Sequence, residues 1–423
     1  MTGERKMDTD ALCAEGYQRA LKLLEQCSTQ DGFLASPSES ANYRRIWGRD
    51  GTILGLAALL TEEPALIACC RLTLETLTRY QGPHGEIPSN VDPMSGRISY
   101  GGTTGRVDAN LWFVIGCGEY WRATGDDTFL KQMLPAIHKV RFLLSAWEFN
   151  NRGLLYIPVT GDWADEYLQH GYVLYDQLLY WQAQKTLCAI HAYLHGSQDH
   201  PSLDRVGRLK HLIRANYWLQ DCETIPDDVY HDVLYEKSRK ARAHCESNYW
   251  FPYFSPSGYG YRFDALANVL ASLLDIADDA QRKRVDGFIA DIVPKALPLL
   301  PAFHPVINLL DEDWEDLQMT FSYKFKNAPH EFHNGGLWPF ITGFYIADLA
   351  TRGAQQRAQA YLQALHQANA LPMNEEPWSF PEFVHGKQLA ARGTRHQGWS
   401  AAAAVIGHHA VRGHPVFRVG PNE

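Results

Sequence analysis

Apolar positions recur with helical spacing in twelve stretches of the chain, near residues 8–28, 51–61, 63–81, 109–125, 127–148, 175–196, 201–218, 262–277, 279–295, 335–352, 354–370 and 393–412. Each predicts a helix. Every second one is apolar nearly all round, as in GTILGLAALL, NLWFVIGCG and SAAAAVIGHHA, while the intervening ones carry more charge, as in QRKRVDGFIADIV. A helix with no polar face is one buried on all sides. The alternation therefore predicts an inner and an outer layer of helices.

The connections alternate as well. After the even-numbered helices they are short: TEE, TGDD, GSQDHPS, ADD and RGAQ. After the odd-numbered helices they are long, at about 31–50, 82–108, 149–174, 219–261, 296–334 and 371–392. Short links join antiparallel neighbours, and long loops in compact folds usually carry function. Six hairpins closing into a toroid satisfy both facts, with the short turns on one face, the long loops on the other, and the helix after each long loop lining the inside. The expected class is all-α, an (α/α)6 toroid, with a short β-hairpin allowed among the loops. A generic helical solenoid is the competing layout, but solenoids show self-similarity at a fixed period, and none is visible. No linker or composition shift divides the chain, so residues 1–423 read as one domain.

Composition narrows the function classes. The net charge of −9 lacks the basic footprint of a nucleic-acid binder. Aromatics make up 12% of the chain, with 12 Trp and 21 Tyr, which suits sugar binding and a large core equally. The eight cysteines, Cys13, Cys27, Cys69, Cys70, Cys117, Cys188, Cys222 and Cys245, form no CxxC pair, and several sit in apolar helical stretches. They predict reduced thiols and a cytoplasmic protein. MTGERKMDTDALCAEG has no apolar signal core, and no stretch is long and apolar enough to span a membrane.

Loops gathered on one face bring their polar groups to one pocket. Glycoside hydrolysis needs two carboxyl groups flanking the bond, so the informative residues are acids beside aromatics on long loops. The first loop ends NYRRIWGRDG, where Arg49 and Asp50 can bind vicinal hydroxyls against a Trp47 wall, although Asp50 could equally cap the helix. Asp108, in GRVDANLWF, stands at an N-cap position, and capping explains it as well as sugar binding does. The third loop, GLLYIPVTGDWADEYLQHGYVLYD, opens on an alternating run that suggests a short strand. It sets Asp165 beside Glu166, between Trp163 and Tyr167. Like charge and desolvation raise a carboxyl pKa, the property a general acid requires. A solvated acidic loop would look the same. The fifth loop leads into HEFHNGGLWPF, with His330, His333 and Asn334 as donors, Trp338 on the inner helix, and a GlyGly pair that permits close backbone approach. No third ligand accompanies these histidines, so no metal is expected. The last loop, EEPWSFPEFVHGKQ, holds Glu382 between aromatics, and Gln397 and Trp399 follow it.

Taken in order, WGRDG, VDANLW with ATGD behind it, DWADE, HNGGLWP, and PEFVHGKQ followed by QGWS resemble the six-hairpin (α/α)6 glycosidases. The resemblance spans about Asn42 to Ala401 and is to neutral/alkaline invertase-like enzymes and the glucosidase domain of glycogen debranching enzymes. It implies a general acid on the loop between the fifth and sixth helices, at Asp165 with Asp162 as the fallback. It implies a general base on the last long loop, at Glu382. It gives Arg49 and Asp50 the hydroxyls of the cleaved sugar, and makes His333, Asn334 and Trp338 pocket-lining. One departure stands out: the invertase pattern has basic residues after its acid, where this chain has Glu166–Tyr167, and DWAD looks more like the debranching type.

The resulting expectation is an inverting hydrolase of an α-glucoside such as sucrose or another small α-linked glucosyl compound. Its acid is Asp165 and its base Glu382. Trp47, Arg49, Asp50, Asp108, Asp162, Trp163, His333, Asn334, Trp338, Gln397 and Trp399 bind the substrate, with no cofactor and no metal. An amylo-α-1,6-glucosidase-like enzyme is the alternative within the class. Outside it stand a sugar epimerase using His333 and His396, and a non-catalytic toroid that binds an oligosaccharide or a protein.

Overall fold

The computed structural model describes residues 9–38, 42–196, 201–219, 225–245 and 248–418. The twelve expected helices are present as α1 (Thr9–Cys27), α2 (Gly48–Thr61), α3 (Pro64–Arg79), α4 (Val107–Thr124), α5 (Asp127–Ala146), α6 (Leu174–His195), α7 (Pro201–Tyr217), α9 (Ala265–Leu273), α10 (Asp279–Ile292), α12 (Pro339–Thr351), α13 (Gln355–Ala370) and α14 (Gly398–Ala410). Two more lie inside the fourth and fifth long loops, α8 (Asp232–Cys245) and α11 (Trp314–Gln318). Parts of the first and fourth long loops and of the link after α6 fall outside the described residues, as does Cys222.

Helices α2, α4, α6, α9, α12 and α14 form the inner layer. Each packs on the next in that order, and α14 returns to α2. The fold is therefore the six-hairpin (α/α)6 arrangement. Burial explains the sequence pattern: every residue of α2 from Gly48 to Leu60 is buried, and so is every residue of α12 from Pro339 to Leu349. Glycines let the inner helices approach one another. A Cβ on Gly343 of α12 would stand 2.5 Å from the Cβ of Ala403 on α14, and one on Gly118 of α4 would stand 2.2 Å from Cγ2 of Thr186 on α6. Glycine inside a helix costs about 1 kcal/mol relative to alanine; here the close approach it permits offsets that cost.

Small antiparallel strands stitch the long loops together just before the inner helices begin. Ile46–Trp47 pairs with Asn90–Asp92, Tyr172–Val173 with Tyr253–Ser255, and Phe263–Asp264 with Phe303–His304. The alternating run at the third long loop, read as a short strand, makes an isolated bridge from Ile157 to Gly171 instead. The last inner helix starts at 398 rather than near 393, because Ala391–Arg392 pairs back onto Phe383–Val384.

Buried side chains in the first turns of the inner helices clamp the incoming loops. Asn110 accepts from Ile87 N and donates to Arg106 O. Gln177 accepts from Leu155 N and donates to Leu155 O and Val173 O. Asn268 accepts from Trp250 N and donates to Trp250 O. Each satisfies loop backbone groups that would otherwise be buried unpaired. Among the described residues, no helix is long and apolar enough to cross a membrane.

Candidate active site

The long loops surround a pocket lined by Tyr43, Trp47, Arg49, Asp50, Trp163, Asp165, Phe332, His333, Trp338, Glu382 and Trp399. Four indoles and Phe332 form the walls, and charged groups from the first, third and last long loops face one another across it. Trp163 meets Trp338 edge to face at 5.6 Å, and His333 stacks on Trp338 at 5.5 Å.

Arg49 and Asp50 lie in the first turn of α2, whose N-cap is Trp47 without a side-chain cap. Asp50 is therefore not the cap. Its Oδ1 receives Gln397 Nε2 at 3.4 Å, and its Oδ2 faces Arg49 Nε at 3.5 Å. Burial, then the neighbouring Glu382 and Asp108, push the Asp50 carboxyl up to about 6 against the pull of Arg49. Trp163 Nε1, Trp399 Nε1, Asp50 Oδ2 and His333 Nδ1 are buried without hydrogen-bond partners. Such groups are costly to leave unpaired, and a polyhydroxylated ligand could satisfy them.

Glu382 is held from two sides. Tyr43 donates to Oε1 at 2.5 Å and Thr394 N to Oε2 at 2.8 Å. A Cβ on Gly393 would stand 2.5 Å from Oε2, so the carboxylate occupies the space that glycine leaves. Burial raises the proton affinity of Glu382 despite the Tyr43 hydrogen bond.

Asp165 departs from expectation. Its Oδ2 receives Arg106 Nη2 at 2.7 Å. Burial raises its pKa, but Arg106, aided by Arg49 and Lys326, outweighs that and holds the carboxyl below the ordinary aspartate range. Glu166 does not supply the decisive like charge: it turns to Lys326 at 3.4 Å. Arg106 is itself fixed by the carbonyls of Thr160, Gly101 and Gly105.

Four expected sugar-binding residues stand behind the lining rather than in it. Asp108 is not an N-cap, since Arg106 holds that place; it accepts from Arg49 at 3.0 Å and Tyr175 OH at 3.2 Å. Asp162 turns inward to Ala164 N at 2.8 Å and Gln169 at 3.3 Å. Asn334 is consumed by Ile307 N and by the carbonyls of Ile307 and Asn327. Gln397 reaches the pocket only through Asp50. His330 lies beside His385, and His396 contacts Ser38 Oγ at 3.3 Å, so neither joins His333 in the lining. The GlyGly turn is as anticipated: Gly335 has φ +87°, and a Cβ on Gly336 would meet Phe332 O at 2.5 Å. Tyr43, Phe332 and Arg106 were not foreseen; Tyr43 stands in the same NYRRIW segment as Trp47. Among the described residues, no group of three or more His, Cys, Asp or Glu could hold a metal ion.

A family profile described as alkaline and neutral invertase matches residues 96–414. Cytosolic invertase 1 of Oryza sativa subsp. japonica is 22% identical over 446 residues, covering 93% of this chain and 76% of that protein. Among solved structures, a glycosidase variant in complex with glucose superposes with a TM-score of 0.65 at 12% identity, covering 98% of this chain and all of that one, 100%. A mannosylglycerate hydrolase from Thermus thermophilus, in complex with Tris and D-glycerate, gives 0.61 at 12% identity, covering 92% and 99%. At such identities the structural likeness is one of fold.

Proposed function

The chain belongs to the alkaline and neutral invertase family of glycoside hydrolases, and from that premise we propose that it hydrolyses a small α-glucoside, sucrose among the candidates, with inversion at the anomeric carbon. Asp165 is the general acid and Glu382 the general base. The observation that carries this reading is that these two carboxyls, from the third and the last long loops, line one pocket.

Their surroundings support distinct roles. Glu382 is deeply buried and receives two hydrogen bonds, which aim its lone pairs, and its raised proton affinity makes it a stronger base. It takes a proton from the attacking water. The Asp165 side chain is 23% exposed, which leaves it in reach of a leaving group that departs to solvent. Held by Arg106 it is ionised. As donor it acts through the protonated minority of the population: that carboxylic acid gives its proton to the glycosidic oxygen as the bond breaks, and Arg106 stabilises the carboxylate left behind. Arg49, Asp50 and the orphaned indole N–H groups bind the sugar hydroxyls, with Trp47 and Phe332 as walls. Asp162 is a poor substitute as acid, being turned away from the pocket. A His333–His396 pair for epimerisation is likewise not assembled in the lining. The buried, unbridged thiols Cys13, Cys27, Cys69, Cys70, Cys117 and Cys188 favour a reducing compartment such as the cytoplasm.

The test is a panel of sucrose, trehalose, maltose, isomaltose and glucosylglycerate, with the released sugar followed by NMR. β-Glucose as first product supports inversion, which needs the carboxyls about 6.5–9.5 Å apart. α-Glucose would reject inversion, and no turnover of any member would reject the substrate class.

A further inference from the structure

Exposure along the pocket orients the substrate. Arg49, Asp50, Trp163 and Glu382 are buried, whereas Asp165, Tyr43 and Trp47 are partly open, and on the Asp165 loop Glu166 pairs with Lys326, whose side chain is 41% exposed. We propose that Lys326 reads the leaving group, so that the pocket favours α-glucosides whose aglycone carries a carboxylate or phosphate close to the glycosidic oxygen. This rests on the reading of Asp165 as proton donor, which puts the aglycone on the Lys326 side.

Lys326 is placed for that role by its neighbours. Asn327 is buried, donates to Glu166 O at 2.5 Å and accepts from Asn334 N at 3.1 Å, so the backbone beside the lysine is fixed. The ammonium lies 4.6 Å from the centroid of Phe332, a pocket wall. It acts electrostatically on Asp165, Glu382 and His333 together. Arg49 and Arg106 act on Asp165 and His333 but are committed, to Asp108 at 3.0 Å and to Asp165 at 2.7 Å. Among the described residues, the ion-pair partner of Lys326 is Glu166 at 3.4 Å. Glu166 is itself buried, and its Oε2 has no hydrogen-bond partner. A neutral aglycone leaves this charge to Glu166 alone. An anionic one gains a charge-assisted hydrogen bond, enough for roughly a ten-fold preference.

The experiment compares matched pairs, glucosylglycerate with glucosylglycerol, and sucrose bearing a fructosyl phosphate with sucrose itself. Binding is read by fluorescence of the pocket tryptophans in a Glu382→Gln background, and turnover in the otherwise native chain. The anionic member of at least one pair is expected to bind roughly ten-fold tighter. Lys326→Gln should bring that ratio close to one, and Lys326→Arg should retain it. Whether the preference falls on the carboxylate or the phosphate pair names the anion. Equal binding of both members, binding of neither, or a Lys326→Gln loss shared equally by anionic and neutral ligands overturns the proposal. Turnover of no glucoside while the binding preference persists would reject the hydrolytic roles of Asp165 and Glu382 and leave the charge reading standing.

Discussion

Tyr43 donates its phenolic hydrogen to Glu382 Oε1 across 2.5 Å, joining the first long loop to the last. The phenol, stacked against Trp47 at 6.2 Å, has little freedom to turn elsewhere. Tyr43→Phe keeps the ring and removes the hydrogen bond. Because that bond favours the ionised carboxylate, its loss raises the proton affinity of Glu382 and frees its side chain to rotate. We expect kcat/KM on the best α-glucoside to fall about 10–100-fold, with Tm within a few degrees of the parent. Parental kcat/KM would show that the hydroxyl does not orient the base.

Asp165→Asn and Glu382→Gln preserve shape and remove the ionisable group. Each should lower turnover by roughly 10²–10⁴-fold, with an unchanged circular dichroism spectrum. Parental rates from either variant reject that residue's assignment.

The ion pair to Arg106 sets a testable pH dependence. Arg106 depresses the Asp165 pKa and burial raises that of Glu382, so Asp165 titrates first as pH rises. The acid limb of kcat/KM then reports Asp165, the alkaline limb Glu382. The productive form, with the proton on Asp165 and not on Glu382, is a minority between the two limbs. Removing the guanidinium in Arg106→Gln raises the Asp165 pKa and should shift the acid limb to higher pH, leaving the alkaline limb nearly in place. An acid limb that stays put in a pH–rate series would refute this order of titration.

Gly393 makes room for the base. At φ +75° a side chain is strained, and the added Cβ would stand 2.5 Å from Glu382 Oε2. Gly393→Ala should cost about 1–3 kcal/mol of stability, and lower kcat more than KM changes. Thermal unfolding and steady-state kinetics check both, and a kcat equal to the parent's would show that the loop absorbs the methyl without moving the carboxylate.

The ring is legible in the chain because its inner helices are apolar on every side and its connections alternate in length. Helix α8 is not, because DVLYEKSRKARAHC is dominated by charge and carries few apolar residues, although Tyr235 within it is fully buried. The acids and indoles of the pocket could be named from motifs. Their electrostatics could not, since the state of Asp165 depends on Arg106, a residue 59 positions away that arrives from another loop. Asp108 and Asn334 show the converse: polar residues inside good motifs turn out to be spent on Arg49, Tyr175 and loop backbone. Sequence displays residue types, but which partner consumes each hydrogen bond is settled only when distant loops meet.

The amide clamps at Asn110, Gln177 and Asn268 have an evolutionary corollary. Each closes its bonds between one inner helix and the single segment that enters it, so the outer part of a connector can change in length or chemistry while its point of entry into the ring stays anchored. New specificities can then be reached one connector at a time, without renegotiating the scaffold that carries them.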